Sequence, residues 1–234
     1  MQEKKAIGIL GGMGPLATAD LFKKIVLMTK VTCDNDHIHI YIDNNSKIPD
    51  RTTAILCGGT DPVPAMGESA QKLNQMGADV LIMPCNTAHY FLDRIKPFSK
   101  APFISILEQT ALRCRQLRGQ TPVGLLGTTG TINTGIYKRE LEAHGIPCIE
   151  PNEEQKELLM ELIFAVKAGS HDLDRPAVEA MLAEMKSRGA EYFILGCTEL
   201  PIVAEWLDLK EDFIDPTTEL ARAAIEYCGY EVAE

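Results

Sequence analysis

The sequence predicts an α/β protein of two similar lobes, each with a mostly parallel sheet flanked by helices. Two observations predict this fold class. Short β-branched and apolar runs alternate with amphipathic stretches, which is the rhythm of βαβ units. A pattern of glycines and cysteines also recurs after 110 to 116 residues, a period far longer than that of solenoid proteins. The 234 residues are enough for one large domain or two small ones.

The strand-like runs are short and rich in Ile, Val, Leu and Phe, as buried parallel strands are. They lie at residues 6–10, 38–42, 79–83, 103–106, 123–126, 192–195 and 213–214. The amphipathic stretches between them are predicted helices, of which the clearest are residues 64–76, 153–167 and 176–188. Because strands alternate with helices, we expect neighbouring strands to run parallel.

The long repeat places the same features in each half of the chain. The glycines of "GILGGMG" at 8–14 recur 116 residues later in "GLLGTTG" at 124–130. The cysteine of "VLIMPCNTAH", Cys85, is answered 112 residues later by Cys197 in "YFILGCTELP". "FISILEQTAL" at 103–112 is answered by "FIDPTTELAR" at 213–222, and Arg51 by Lys167. Each half therefore supplies one glycine turn, one cysteine and one cation.

Composition excludes several classes of function. The chain has 23 Lys and Arg against 33 Asp and Glu, a net charge of −10, so we expect no nucleic-acid partner. It has no apolar run of the roughly 20 residues that span a bilayer and no signal-peptide core, so we expect a cytoplasmic protein without a membrane partner. Its seven cysteines are odd in number and form no Cys-x-x-Cys pair, so neither a disulfide framework nor a metal site is predicted.

The glycine turns and the two repeated cysteines carry the predicted chemistry. The turns lack a complete dinucleotide or phosphate-loop pattern, and their duplication favours a site for a small carboxylate. Cys85 and Cys197 each follow a predicted strand, where α/β sheets bind ligands. The polar pairs after them, Asn86-Thr87 and Thr198-Glu199, are expected to cap helices. A helix N-terminus would lower the pKa of each thiol toward neutrality.

Two equivalent thiols suit racemisation, in which a base removes a proton from one face of a carbon and an acid returns one to the other. Arg51 and Lys167 are suited to holding carboxylates. His89 lies four residues after Cys85 but has no counterpart in the second half, so it is assigned no role.

Two alternative functions stay open. One is a decarboxylase or isomerase of a small dicarboxylic acid on the same fold, and the other is a catalytically inactive amino-acid-binding protein.

Four motifs resemble the aspartate/glutamate racemase family, and most closely its aspartate racemase branch. They are "GILGGMGPLAT", "MPCNTAH", "GLLGTTGTINTGIY" and "LGCTELP". Glutamate racemases carry Asp-Ser in the first turn and Cys-Thr-His at the second cysteine, where this chain has Gly-Gly-Met and Cys-Thr-Glu. Related decarboxylases keep only one cysteine, so the presence of both favours racemisation. The resemblance to the aspartate racemase branch implies aspartate as the substrate, with glutamate as the next candidate.

The resemblance also implies an architecture and a set of site residues. It implies pseudo-symmetric lobes at 1–100 with 213–234 and at 101–212, an active site in the cleft between them, a homodimer, and no cofactor. Cys85 and Cys197 would be the acid/base groups, and the substrate would be a small acidic amino acid. The implied substrate-binding residues are Arg51 and Lys167 for the carboxylates, Asn86, Thr87, Thr198 and the backbone amides near Met13, and more loosely Thr128 and Thr131.

Overall fold

The computed structural model describes residues 4–233. The chain divides into two compact units. Unit 1 comprises Met1–Gln109 and Thr217–Glu234, and unit 2 comprises Thr110–Pro216. None of the helices described within residues 4–233 is long and apolar enough to cross a lipid bilayer.

Unit 1 is built on a three-stranded parallel sheet in the order β2-β1-β3. Its strands are β1 (Ile7–Gly11), β2 (Ile40–Asn44) and β3 (Val80–Ile82). Its helices are α1 (Pro15–Met28), α2 (Arg51–Leu56), α3 (Val63–Met76) and α4 (Leu92–Ile95), with 3-10 helices at Asp34–Asp36, Thr87–Phe91 and Lys96–Phe98. Every residue of β1 and β3 is buried, because helices cover both faces of a parallel sheet.

Unit 2 repeats this plan with a four-stranded parallel sheet in the order β5-β4-β6-β7. Helix α5 (Ile106–Arg118) leads into the unit. The strands are β4 (Val123–Leu126), β5 (Cys148–Ile149), β6 (Tyr192–Leu195) and β7 (Phe213–Ile214). The helices are α6 (Thr129–Asn133), α7 (Ile136–Ala143), α8 (Glu153–Lys167), α9 (Arg175–Ser187) and α10 (Leu200–Trp206), and α11 (Pro216–Tyr227) returns the chain to unit 1.

Packing explains two of the repeated glycines. A Cβ on Gly8 in β1 would lie 2.5 Å from Leu81 Cδ2, and a Cβ on Gly124 in β4 would lie 2.4 Å from Phe193 Cδ1. Each of these neighbours belongs to the adjacent parallel strand of its own sheet. The two glycines therefore recur because the same close contact is built twice, which requires no ligand.

The prediction of an α/β chain with two similar units is confirmed, and two details differ. Residues 103–106 are expected to form a strand, but only Phe103 bridges to Leu81 and α5 already begins at Ile106. Ser105 Oγ accepts the Glu108 N–H at 3.3 Å, so a serine favourable to helix initiation overrides the apolar pattern. Strand β5 has only two residues, too few for a visible alternation.

Candidate active site

Cys85 lies just beyond the carboxyl end of β3, as predicted, and the residue is 6% exposed. The segment that follows is the 3-10 helix Thr87–Phe91 rather than the start of an α-helix. Asn86 occupies the N-cap position but makes no side-chain capping hydrogen bond, so the capping role expected for it is wrong. The reason is its backbone, which is already helical, whereas a capping side chain requires an extended one. Asn86 and Thr87 are both buried beside the cysteine.

His89 is buried below the Cys85 turn and bonds to protein groups through both ring nitrogens. Its Nδ1 lies 2.9 Å from the carbonyl oxygen of Cys85, and its Nε2 accepts the N–H of Ile106 at 3.2 Å. Because a carbonyl can only accept, Nδ1 carries the proton and the ring is neutral. Burial lowers the pKa of His89 to about 4, and the nearby Lys96 charge also lowers it. The sequence showed only that this histidine follows the cysteine by one helical turn.

Arg51 begins α2 and is buried, with 9% of its surface exposed. Its guanidinium donates to the carbonyl oxygens of Ile48 at 3.4 Å, Pro49 at 3.1 Å and Met13 at 3.3 Å. Its buried Nε has no hydrogen-bond partner among residues 4–233. The structure therefore joins two of the predicted site residues, Arg51 and Met13. Helix α2 also packs against the 3-10 helix that follows Cys85.

The glycine turn after β1 uses one of its backbone amides internally. The Gly12 N–H donates to Thr18 Oγ1 at 2.9 Å, and the Thr18 hydroxyl donates to the Gly14 carbonyl at 3.1 Å. These two bonds hold the turn against the first helix of unit 1.

Cys197 occupies the corresponding place in unit 2, just after β6 ends, with Gly196 between them, and it is 7% exposed. Its Sγ donates to Glu199 Oε2 at 3.0 Å, and the Thr198 hydroxyl donates to the same oxygen at 3.3 Å. Burial raises the pKa of the Cys197 thiol well above its usual value, and the Glu199 carboxylate adds to the increase. The lowered pKa expected for this thiol is therefore wrong, because desolvation and a carboxylate outweigh the effect of a short helix.

Glu199 was expected to cap a helix, and the structure gives it a different contact. It lies at the N-cap position of α10 in a helical conformation and makes no side-chain capping bond. Its carboxylate is buried beside the sulfur instead. The only sequence signal for this contact was that Glu199 follows the cysteine by two residues, where the first half has Thr87.

Lys167 is the last residue of α8 and is exposed, with its ammonium 5.8 Å from the centre of the Phe164 ring. Its positive charge lowers the pKa of Cys197, in opposition to burial and Glu199. Helix α8 packs against α10, the helix that follows Cys197. In both units, then, the helix that carries the predicted cation packs against the helix that follows the cysteine.

Thr128 and Thr131 are buried in the second glycine turn. Thr128 Oγ1 accepts the Thr131 N–H at 3.1 Å and caps α6, and it lies 3.0 Å from Thr131 Oγ1. The turn is close to the Cys197 segment, since a Cβ on Gly127 would lie 3.3 Å from the Gly196 carbonyl oxygen. Both threonines therefore have a structural function in addition to the substrate contact predicted for them.

Comparison with known proteins assigns the chain to a family. The family described as Asp/Glu/hydantoin racemase matches residues 10–224, which is most of the sequence. This chain belongs to that family. The predicted class of enzyme, an amino-acid racemase and hence an isomerase, is confirmed.

Individual relatives resemble the racemase along its whole length. The structure of a Picrophilus torridus aspartate racemase has 29% identity and a TM-score of 0.86, with 98% of this chain and 96% of that chain covered. The broad specificity amino-acid racemase RacX of Bacillus subtilis (strain 168) is 29% identical over 232 residues, 96% of this chain and 99% of its own. Glutamate racemase from Francisella tularensis, solved with D-glutamate, shares the fold at 18% identity, with a TM-score of 0.71 over 96% of this chain and 81% of its own.

Proposed function

We propose that this racemase interconverts the enantiomers of aspartate without a cofactor, with Cys85 and Cys197 as its two acid/base groups. One observation carries the proposal. Each unit holds one buried thiol just beyond the carboxyl end of a parallel strand, next to a helix that bears a cation. Two equivalent groups of this kind are the minimum that a two-base racemisation needs.

The reaction transfers one proton off Cα and one proton onto it. A thiolate takes the Cα proton, and the electron pair of the broken C–H bond delocalises into the α-carboxylate. The thiol on the opposite face then gives its proton to Cα, which restores the C–H bond with inverted configuration. For the reverse reaction the two sulfurs exchange roles, and the total number of protons on the enzyme does not change.

The contacts of Cys197 support a starting protonation state. Its Sγ donates a hydrogen bond to the Glu199 carboxylate, and burial opposes formation of a thiolate. Cys197 therefore begins a turnover as the acid, and Cys85 begins it as the base. After one inversion the proton lies on Cys85, so the enzyme is set for the opposite direction.

The predicted cations are suited to the two carboxylates of aspartate. Arg51 is already oriented by three backbone carbonyls. Its buried Nε has no partner among residues 4–233, so it can donate to a carboxylate of the substrate. Lys167 supplies a second charge near Cys197. A positive charge next to the α-carboxylate stabilises the carbanion as it forms. We assign further substrate contacts to the polar residues beside the cysteines and in the two glycine turns: Asn86, Thr87, Thr198, the backbone amides near Met13, Thr128 and Thr131.

Aspartate is the first choice of substrate because the aspartate racemase of Picrophilus torridus is similar over 98% of this chain. A broader range of amino acids is the second candidate, favoured by the similarity to RacX over 96% of the chain. A difference of one methylene changes transition-state binding by only about 1 to 3 kcal/mol, so glutamate belongs in the same test. A homodimer and a cytoplasmic location stay predictions.

Proton NMR of L-aspartate and L-glutamate in D₂O tests the proposal. Purified protein with no added cofactor is expected to remove the Cα–H signal of aspartate, and chiral chromatography of the same samples is expected to show the D enantiomer. Exchange of a panel of neutral amino acids at similar rates would replace aspartate by a broad substrate range. No exchange of any of them over a long incubation would contradict the proposal.

A further inference from the structure

His89 connects the turn that carries Cys85 to the first residue of α5. Its ring donates to the carbonyl oxygen of Cys85 and accepts the N–H of Ile106, both within unit 1. The N–H of Cys85 itself donates to the Met83 carbonyl at 2.9 Å, and the N–H of His89 donates to the Asn86 carbonyl at 3.0 Å. The N–H and the carbonyl oxygen of Cys85 are therefore both hydrogen-bonded, and His89 supplies the partner of the carbonyl.

The second unit has no equivalent connection. By the repeat offsets of 112 and 110 residues, the counterpart of His89 is Pro201 and the counterpart of Ile106 is Pro216. Proline has neither an imidazole nor a backbone N–H, so this hydrogen-bond bridge cannot form there. The bridge is therefore specific to the Cys85 turn rather than a requirement of the fold.

The hydrogen-bond bridge of His89 joins the Cys85 turn to helix α5, which connects the two units in sequence. Helix α5 begins in unit 1 at Ile106 and continues into unit 2, so it carries the chain from one unit to the other. Since both ring nitrogens of His89 are occupied by protein groups, the imidazole has no lone pair or proton left for a substrate. Its contribution to catalysis must act through the residue that it holds.

We infer that His89 is a positioning residue for Cys85. Its Nδ1–H binds the carbonyl oxygen of Cys85, and its Nε2 accepts the N–H of Ile106, the first residue of α5. This inference rests on the proposed function of Cys85 as an acid/base group. Errors of about 1 Å in the position of a reacting group can reduce turnover by about 100-fold, so a turn held less firmly lowers the catalytic rate while leaving substrate binding almost unchanged.

Two conservative variants separate the two contacts. In His89→Asn the amide N–H lies near the position of Nδ1, so it can still donate to the Cys85 carbonyl. In His89→Gln the amide oxygen lies near the position of Nε2, so it can still accept the Ile106 N–H. His89→Leu removes both contacts. His144→Asn and His144→Gln, at a partly exposed histidine that pairs with Glu140, are the matched controls.

The first readout is the steady-state racemisation of aspartate. We expect kcat to fall by about 10- to 100-fold in His89→Gln and His89→Leu with KM nearly unchanged, and to recover substantially in His89→Asn. The control variants are expected to match the wild type. Equal kcat in all three His89 variants and the wild type would overturn the inference.

The second readout does not depend on activity. Alkylation by iodoacetamide, followed peptide by peptide with mass spectrometry, is expected to become several-fold faster at Cys85 in His89→Gln and His89→Leu, and to stay unchanged at Cys197. If the wild type fails to racemise aspartate but this selective change occurs, the proposed function is wrong and the positioning of Cys85 stands. Unchanged alkylation of Cys85 would count against the positioning role.

A measurement on the wild type covers the case in which the variants do not fold. Nitrogen-15 NMR of the histidine rings is expected to show one imidazole that stays neutral with its proton on Nδ1 from pH 5 to pH 8. A His89 signal with the proton on Nε2, or one that titrates in this range, would exclude the bridge.

Discussion

The two cysteine turns occupy the same place in similar units, yet their polar neighbours differ. Cys85 is held through its backbone by the neutral ring of His89, whereas Cys197 is bonded through its sulfur to the carboxylate of Glu199. Both cysteines are buried, at 6% and 7% exposure. A duplicated fold thus repeats the position of a thiol more faithfully than its electrostatic surroundings. Backbone packing sets the position, and single nearby side chains set the surroundings.

The cations show the same contrast. Arg51 is buried and bonded to three carbonyl oxygens, whereas Lys167 is exposed and acts on Cys197 through its charge. The cysteine turns of the two units are therefore matched in plan and unequal in chemistry. Four predictions address this inequality.

Replacing either cysteine by alanine tests whether the two turns share one function. We expect Cys85→Ala and Cys197→Ala each to reduce racemisation by about 10²- to 10⁴-fold, the contribution typical of a general acid or base. Chiral chromatography of aspartate measures the rate. Cys33→Ser, at an exposed cysteine, is the control and should retain activity. A variant that retains wild-type turnover would show that its cysteine is not one of the two bases.

The pH dependence of the free energy of unfolding tests the buried, neutral state of His89, a residue with no counterpart in unit 2. The pKa of His89 is about 4 when folded and 6.5 when unfolded, so between these values the unfolded chain binds the extra proton. The contribution of the neutral ring is complete above pH 6.5 and is lost as the pH falls toward 4. We expect a loss of about 2 to 3 kcal/mol in the free energy of unfolding between pH 7.5 and 4.5 that is absent in His89→Asn.

Urea unfolding at several pH values measures this difference, and subtracting the two profiles removes the contributions of all other groups. Parallel profiles for the wild type and His89→Asn would contradict the neutral, buried state of the ring.

The two cations are expected to differ in what their removal costs. Arg51→Ala removes a donor from three carbonyl groups and should lower the free energy of unfolding by about 1 to 3 kcal/mol as well as activity. Lys167→Ala should leave stability almost unchanged and raise KM for aspartate by roughly tenfold, as expected for loss of a charged contact. Thermal unfolding and steady-state kinetics measure both effects. An equal decrease in the free energy of unfolding in the two variants would contradict the expected difference between the buried and the exposed cation.

The smallest expected effect concerns the carboxylate at Cys197. Glu199→Gln removes a negative charge that raises the pKa of the thiol, so the thiolate fraction at pH 8 should increase. We expect alkylation of Cys197 to become several-fold faster, with Cys85 unaffected. Glu205→Gln, on the same helix and farther along the chain, is the control. If Glu199→Gln slows alkylation of Cys197, the carboxylate activates the thiol instead of holding its proton.

Most of the sheet architecture follows from local patterns in the chain. The glycine and cysteine repeat predicts two similar units, and the strand-like runs predict six of the seven strands, because buried parallel strands and strand-end cysteines leave local signatures. The strand predicted at 103–106 is wrong because an apolar run cannot distinguish a strand from a buried segment that begins a helix. Strand β5 has no sequence signal because two residues carry no period.

The α/β class, the duplication and the pair of cysteines at strand ends can be read from the amino-acid sequence, since they follow from local pattern and from identity between the two halves. The hydrogen bonds of His89, the acceptor of the Cys197 S–H and the direction in which the pKa of Cys197 moves become visible only in the folded chain. The reason is that desolvation and hydrogen bonding depend on what surrounds a side chain in space. The N–H that His89 accepts is 17 residues away along the chain, and no spacing rule points to it.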